Sequence, residues 1–226
     1  MKDKKVLSLK NVSYRYHDAA KDEYVLKNIN YEFEKGKTYA IKGRSGSGKT
    51  TLLSLISGLE KKYEGEILYK DKNLSKINLD DYRSGNVGIV FQSYNLLPHL
   101  TALENIILSM DISKVKVDDK KKLAIDLMEQ VGLSKNMGNR RILKLSGGEQ
   151  QRIAIARSLS YNPEIILADE PTGNLDHDTE NDILNIFNDL AHKQNKCVII
   201  VTHSGNVCNL VDEVYELKKK KDDNSK

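Results

Sequence analysis

Gly43-Arg44-Ser45-Gly46-Ser47-Gly48-Lys49-Thr50 fits the pattern G-x-x-x-x-G-K-[ST]. Before it stands a short apolar run, Thr38-Tyr39-Ala40-Ile41, and after it Thr51-Leu52-Leu53-Ser54-Leu55-Ile56 carries helical spacing up to Gly58. Strand, glycine turn and helix in this order make a cradle for a polyphosphate. Only glycine lets backbone N–H groups approach an anion so closely, and the helix that follows turns its positive end toward it. Lys49 then reaches the terminal phosphates as a mobile point charge, and the Thr50 hydroxyl offers the hard oxygen that a magnesium ion prefers. The expected ligand is a nucleoside triphosphate. Its binding residues are Gly43, Arg44, Ser45, Gly46, Ser47, Gly48, Lys49, Thr50 and, one step into the helix, Thr51.

Working outward, Val6 to Tyr16 alternates in a β pattern, and Ile29, Tyr31 and Phe33 alternate again before Lys35-Gly36-Lys37. These predict antiparallel strands beside the nucleotide core, with a polar loop from His17 to Tyr24 between them. Tyr16 offers a ring face to an adenine base, although an aromatic on a strand is as well explained by packing. Beyond the glycine loop, Gly65 to Tyr69 reads as a strand with Lys70-Asp71-Lys72-Asn73 as its turn, and Leu79 to Ser84 as a short helix. Val87 to Phe91 is a buried strand ending on Gln92, at the strand end where ligands sit in open α/β sheets. There Gln92 would touch both a magnesium shell and an attacking water, or it simply opens a surface loop.

Leu96, Leu97, Pro98 and Leu100 place apolar material in a connecting segment, which suggests an interaction surface. From Thr101 to Leu145 the pattern is helical, with helices expected over Thr101 to Ser109 and Asp118 to Val131, and it reads as an inserted helical subdomain. In Leu145-Ser146-Gly147-Gly148-Glu149-Gln150-Gln151-Arg152, Ser146 and Glu149 form a capping box. Two glycines in that first turn cost roughly 1 kcal/mol each against alanine. Such a cost suggests close approach to the backbone, as at a second anion-binding helix start. Ile165-Ile166-Leu167-Ala168-Asp169 is an apolar strand ending in a carboxylate, followed by Glu170. A magnesium-holding aspartate and a general base are expected there, on opposite sides of the strand. A helix over Asp178 to Lys193, a buried strand over Cys197 to Val201 and a last strand over Glu213 to Leu217 follow. His203, after the penultimate strand, is by itself polar punctuation. Lys218 to Lys226 reads as a solvated, disordered tail.

The chain has 226 residues, enough for one large core with a smaller subdomain attached. Charged residues are 30% of it, both signs are interspersed and the net charge is only +4, so composition does not argue for nucleic acid. Cys197 and Cys208 lack metal-ligand spacing and suit a reducing compartment. The longest apolar runs are strand-sized, so a membrane role is expected to come through a partner chain.

Taken together, the phosphate loop, Gln92, the Leu145-Ser146-Gly147-Gly148-Glu149-Gln150 stretch, Asp169-Glu170, Leu175-Asp176 and His203 resemble the ATPase subunit of ATP-binding-cassette (ABC) transporters. The resemblance runs from about Val6 to Leu217, and the Leu145 to Gln150 stretch is its most specific part. It implies an α/β fold: a P-loop NTPase core, an N-terminal antiparallel β subdomain and a helical subdomain inserted at about 93–158, all in one domain, 1–217. It implies ATP and magnesium as ligands. Tyr16 then stacks on adenine, and Thr50, Gln92 and Asp169 belong to the magnesium shell. Glu170 is the catalytic base, with His203, Lys49 and Gln92 around the γ-phosphate and water. Asp176 lies at a dimer contact, and Ser146-Gly147-Gly148, with Glu149, meets the ATP of an opposite subunit. The implied assembly is a head-to-tail homodimer on a separate integral membrane permease, cytoplasmic and peripheral to the membrane's inner face, with no nucleic acid. Ala168 to Asp176 resembles the branch of macrolide exporters, lipoprotein-release systems and antimicrobial-peptide transporters. The cell-division ATPase of the same branch is the alternative, and soluble cassette ATPases acting on nucleic acid are a more distant one. A lysine run follows Glu216-Leu217, where family members usually carry a glycine turn.

Overall fold

The apolar runs Ile165–Asp169 and Cys197–Thr202 have no polar face, so they are stable only where a sheet is covered on both sides. The computed structural model, which describes residues 4–16 and 23–218, puts them side by side in a five-stranded parallel sheet. Most of the polar loop expected after Tyr16, and the tail beyond Lys218, lie outside the described residues.

Strands β1 (Lys5–Tyr14) and β2 (Leu26–Glu34) pair antiparallel, and β3 (Lys37–Lys42) runs through the glycine loop into α1 (Lys49–Ile56). Next come β4 (Glu64–Tyr69), the two-residue β5 (Lys72–Asn73), α2 (Leu79–Gly85) and β6 (Val87–Val90). Helices α3 (Ala102–Ile112) and α4 (Lys120–Gln130) form the insertion, and α5 (Gly147–Leu159) leads back to the sheet. The chain ends with β7 (Ile165–Asp169), α6 (His177–His192), β8 (Cys197–Thr202), α7 (Gly205–Leu210) and β9 (Glu213–Glu216). The antiparallel sheet has the order β2-β1-β4-β5 and the parallel one β6-β7-β8-β3-β9.

Side chains alternate across the parallel sheet and so divide the interior in two. Ile166, Ala168, Val198 and Ile200 join the core shared with α5, α6 and the insertion. Ile165, Leu167, Ile199 and Val201 join α1 and the antiparallel sheet on the other side. Thus the sheet is a wall between two cores, and its carboxyl ends carry the loops from which a site can be built. Helix α5 packs on α3 and α4 but also on β6 and α6, so it belongs to the insertion and the parallel core at once. None of the described helices is long and apolar enough to cross a membrane.

Two local expectations need correction. Only Lys70 and Asp71, both left-handed (φ 47° and 63°), make the turn after β4, because Lys72 and Asn73 pair back on it. Thr101 is the cap of α3 and not its first residue, its hydroxyl and Glu104 completing a capping box, and the helix continues to Ile112. Cys197 is buried in β8 and Cys208 half-buried on α7, both as free thiols.

One carboxylate ties the two sheets together. Glu164, just before β7, accepts hydrogen bonds from Tyr69 Oη at 2.9 Å and Lys70 Nζ at 2.8 Å, and Lys35 Nζ lies 2.9 Å from it. Burial pushes its pKa up, but the bonds from Lys70, Lys35 and Tyr69 outweigh that and bring it to about 2 from the ordinary 4.5. A lowered folded-state pKa gives stability that is complete above the unfolded value and is lost as pH falls from 4.5 through about 2. Discounted for solvent around the partly exposed side chain, the contribution is about 1–2 kcal/mol. Glu164→Gln is expected to lower the urea-unfolding free energy by that amount at neutral pH. The gap between variant and wild type should close in strongly acid solution, and a gap unchanged by pH would remove the ion cluster as its cause.

Candidate active site

The glycine loop turns where an L side chain would not fit. Gly48, at φ 92°, caps α1, and a Cβ there would stand 2.9 Å from Leu26 Cδ2 and 3.0 Å from Val25 Cγ1. Behind the loop, a Cβ on Gly43 would meet Ser47 Oγ at 2.3 Å. Ser47 is itself buried, with its N–H donating to Arg44 O at 3.1 Å. Gly43 and Ser47 therefore form the back of the loop and do not line the cavity in front of it.

That cavity has a volume of about 760 Å³, within the range of small-molecule sites. It is lined by Arg44, Ser45, Gly46, Gly48, Lys49, Thr50 and Thr51 of the loop and α1, by Tyr16 and Val25 at one end, and by Gln92, Asp169, Glu170 and His203 at the other. Expected residues from the ends of five strands, β1, β3, β6, β7 and β8, are thus brought together. Val25 was not foreseen, since an aliphatic residue in a loop gives no signal. Tyr16 is 54% exposed, set edge-on to Tyr14, with its hydroxyl 3.1 Å from Thr51 Oγ1. Gln92 lies at the end of β6, where its amide nitrogen would be 3.0 Å from a Cβ on Gly173.

Lys49 Nζ donates to Gly43 O at 2.9 Å and lies 3.5 Å from Glu170 Oε1. Asp169 Oδ2 accepts from Thr50 Oγ1 at 3.1 Å. Burial pushes the Asp169 carboxyl up and the charge of Glu170 adds to this, against the Thr50 bond and the Lys49 charge. A carboxylate raised in this way gains from a divalent cation beside it. With one hydroxyl and one carboxylate oxygen, the pair fits magnesium, which takes few protein ligands and completes its shell with phosphate and water.

Asp169 and Glu170 do diverge, but not by strand alternation. Glu170 has left the strand with φ 45°, while its N–H still donates to Val201 O at 3.0 Å. A left-handed conformation in a non-glycine residue costs about 1–2 kcal/mol. Here it aims the carboxylate across to the next strand end. Glu170 Oε1 is 2.9 Å from His203 Nδ1, and Oε2 accepts from the His203 N–H at 3.3 Å. Two ionic side chains of the site, Lys49 and Glu170, are largely enclosed and face each other across the mouth of the loop.

The Ser146 to Glu149 turn lies outside this cavity. Ser146 Oγ accepts from the Glu149 N–H at 3.2 Å and Glu149 Oε2 from the Ser146 N–H at 2.7 Å, completing the expected capping box. A Cβ on Gly147 would stand 3.0 Å from Tyr94 Oη, and one on Gly148 2.7 Å from Thr179 Cγ2, so both glycines are needed for packing as well. Asp176 caps α6, accepting from the Thr179 N–H at 3.0 Å. Arg157 of α5 was missed: its guanidinium donates to the carbonyls of Tyr94 and Asn95, two successive left-handed residues after Gln92. Burial lowers its pKa. Its helical spacing reads as a solvated face, so sequence carries no sign of this anchor.

Known proteins resemble this chain over nearly its whole length. Residues 26–173 match the family model described as ABC transporter. The YclH ABC transporter ATP-binding protein of Bacillus subtilis is 46% identical over 92% of this chain and 91% of its own length. The lipoprotein-releasing system ATP-binding protein LolD of Rickettsia bellii is 40% identical over 95% of this chain and 96% of its own. The cassette MJ0796, from Methanocaldococcus jannaschii, superposes in its dimeric structure with a TM-score of 0.84 at 38% identity, covering 94% of each chain. A second structure of it, a dimeric post-hydrolysis state bound to ADP and Pi, superposes with a TM-score of 0.84 at 36% identity, over 95% of this chain and 97% of that one. With a nucleotide loop, a magnesium-suited pair and an enclosed carboxylate assembled at the carboxyl ends of the parallel strands, and with relatives matching nearly end to end, the chain belongs to the ABC transporter family as its ATP-binding, ATP-hydrolysing subunit.

Proposed function

We propose that two copies of this chain close head to tail around two ATP molecules and drive a separate integral membrane partner in the export or release of a lipophilic or peptide cargo. The observation that carries the chemistry is the convergence of Lys49, Glu170 and His203 on the mouth of the glycine loop. Lys49 offsets phosphate charge, and Thr50 and Asp169, with Gln92 nearby, hold magnesium, which when bound neutralises the phosphate oxygens and the charge that develops on them. Glu170 takes up and orients the attacking water, and His203, fixed to Glu170, stands beside the γ-phosphate. Tyr16, more than half exposed at the far end of the cavity, is the platform for adenine. The Ser146-Gly147-Gly148 turn serves the opposite subunit's ATP, which fits its position outside its own cavity. The dimeric MJ0796 cassette supports the pairing, and the name of LolD supports a lipophilic cargo.

The partner is proposed to dock on the segment from Gln92 to Leu100. Leu97 is 38% exposed, whereas Leu96 packs against the insertion core. Asn105 of α3, itself buried, fixes the Leu97 backbone through bonds of 2.8 Å and 3.2 Å. A charge at Leu97 therefore changes the surface while leaving the fold intact. Tagged Glu170→Gln protein, purified from membranes of its host with ATP present, is expected to bring down an integral membrane protein. The same preparation carrying Leu97→Asp as well is expected to lose it. Recovery of ribosomes or DNA without a membrane protein would overturn the transport reading, and recovery unchanged by Leu97→Asp would overturn the docking site.

A further inference from the structure

Glu180 lies in the first turn of α6, with its side chain only 14% exposed. Its Oε1 accepts from Thr172 Oγ1 at 3.1 Å and from Ser204 Oγ at 3.2 Å, and its Oε2 from Asn206 Nδ2 at 3.0 Å. Thr172 follows Glu170 by two residues, and Ser204 follows His203 by one. One carboxylate thus joins the two loops that carry Glu170 and His203, behind the 2.9 Å contact those residues make in the cavity. None of the atoms in this network lines the cavity.

We infer that Glu180 is a positioning residue for ATP hydrolysis: it clamps the loop after Glu170 to the loop after His203 and so holds the two side chains in register. The chemistry of the donors asks for a carboxylate. Two hydroxyls and an amide NH₂ all point at it, and only an ionised acid presents acceptors on both oxygens. An amide would turn an NH₂ toward at least one of these donors. The left-handed backbone of Glu170 makes such a clamp necessary, because a strained residue keeps its conformation only where its surroundings fix it. The Ser204 hydroxyl, which also accepts from the Val207 N–H at 3.4 Å as the cap of α7, carries the constraint into the next helix. Burial pushes the Glu180 carboxyl up, yet bonds from Asn206, Thr172 and Ser204 hold it below the ordinary carboxylate range, so it stays ionised across the working pH range.

The inference rests on the reading of Glu170 and His203 as the catalytic pair. Glu180→Gln is expected to lower kcat about 10-fold with the KM for ATP changed by less than about threefold, since misplacing reacting groups by a fraction of an ångström costs turnover and not ground-state binding. The deciding measurement is a double-mutant cycle on single-turnover rates with His203→Ala. If Glu180 acts through the pair, Glu180→Gln adds little once His203 is gone. A merely structural role would multiply its loss onto that of His203→Ala, and that result, or an unchanged kcat in Glu180→Gln, overturns the clamp. Turnover at the wild-type rate in His203→Ala overturns the underlying reading instead. Should Glu180→Gln not fold, Thr172→Val and Ser204→Ala, each removing one donor, carry the same cycle with smaller losses.

Discussion

Glu170→Gln is expected to lower steady-state ATP turnover by roughly 10²–10⁴-fold, the range for loss of a general base, while ATP still binds. The substitution is nearly isosteric, so the contact with His203 Nδ1 survives through the remaining carbonyl oxygen. What disappears is the negative charge 3.5 Å from Lys49 Nζ and the oxygen able to take a proton from water. In the proposed reading ATP affinity rests on the loop amides, Lys49 and the Tyr16 end of the cavity, none of which changes. Removing one of the two carboxylates at the mouth also lowers repulsion toward the triphosphate, so affinity should hold or rise slightly. Turnover by dimer-forming protein and binding of a fluorescent ATP analogue, measured on the same preparation, separate the two effects. Turnover within threefold of wild type would mean that another group handles the water, and Asp169 would be the next residue to test.

How far this site can be read from sequence depends on whether its cause is local. The loop 43–50, the capping box at Ser146 and the apolar strands are encoded in neighbouring residues, and each forms close to where the pattern puts it. The divergence of Asp169 and Glu170 was right in outcome but wrong in cause, because strand alternation is a default and φ 45° at Glu170 is imposed by tertiary contacts. Ser47 reads as one more residue of the phosphate cradle, yet its side chain fills the space that Gly43 leaves open. Arg157 and Glu180 were illegible for a related reason. Each is a charged residue at an unremarkable helical position; the partners of Arg157 lie 62 and 63 residues away, and those of Glu180 come from two different loops, 8, 24 and 26 residues away. Charge on a helix normally means solvent, and only the packed structure reveals that these two charges face carbonyls and hydroxyls instead.

The proposed head-to-tail assembly gives the second large effect, in which two defective proteins make one active one. Ser146→Arg fills the face of the α5 turn with a bulky side chain and removes the cap that Ser146 Oγ supplies to the Glu149 N–H, at a cost of about 1 kcal/mol that the helix can bear. Its own cavity keeps Lys49, Glu170 and His203 intact. Turnover of Ser146→Arg alone should therefore fall as far as that of Glu170→Gln, while ATP binding by the monomer stays normal. In a mixed dimer, the nucleotide side of the Ser146→Arg chain meets the undamaged Ser146-Gly147-Gly148 turn of the Glu170→Gln chain, which rebuilds one complete site. Random pairing in an equal mixture makes about half of the dimers mixed, each with one of two sites whole, so roughly a quarter of wild-type turnover should return if the sites act independently. The two proteins are to be combined before ATP is added, because on the proposed cycle ATP that is not hydrolysed would hold Glu170→Gln closed on itself. A mixture no more active than its components would mean that each chain completes its own site. The turn at Ser146, 11 residues before Arg157 on the same helical segment, would then have to reach its own glycine loop through a rearrangement of the whole insertion.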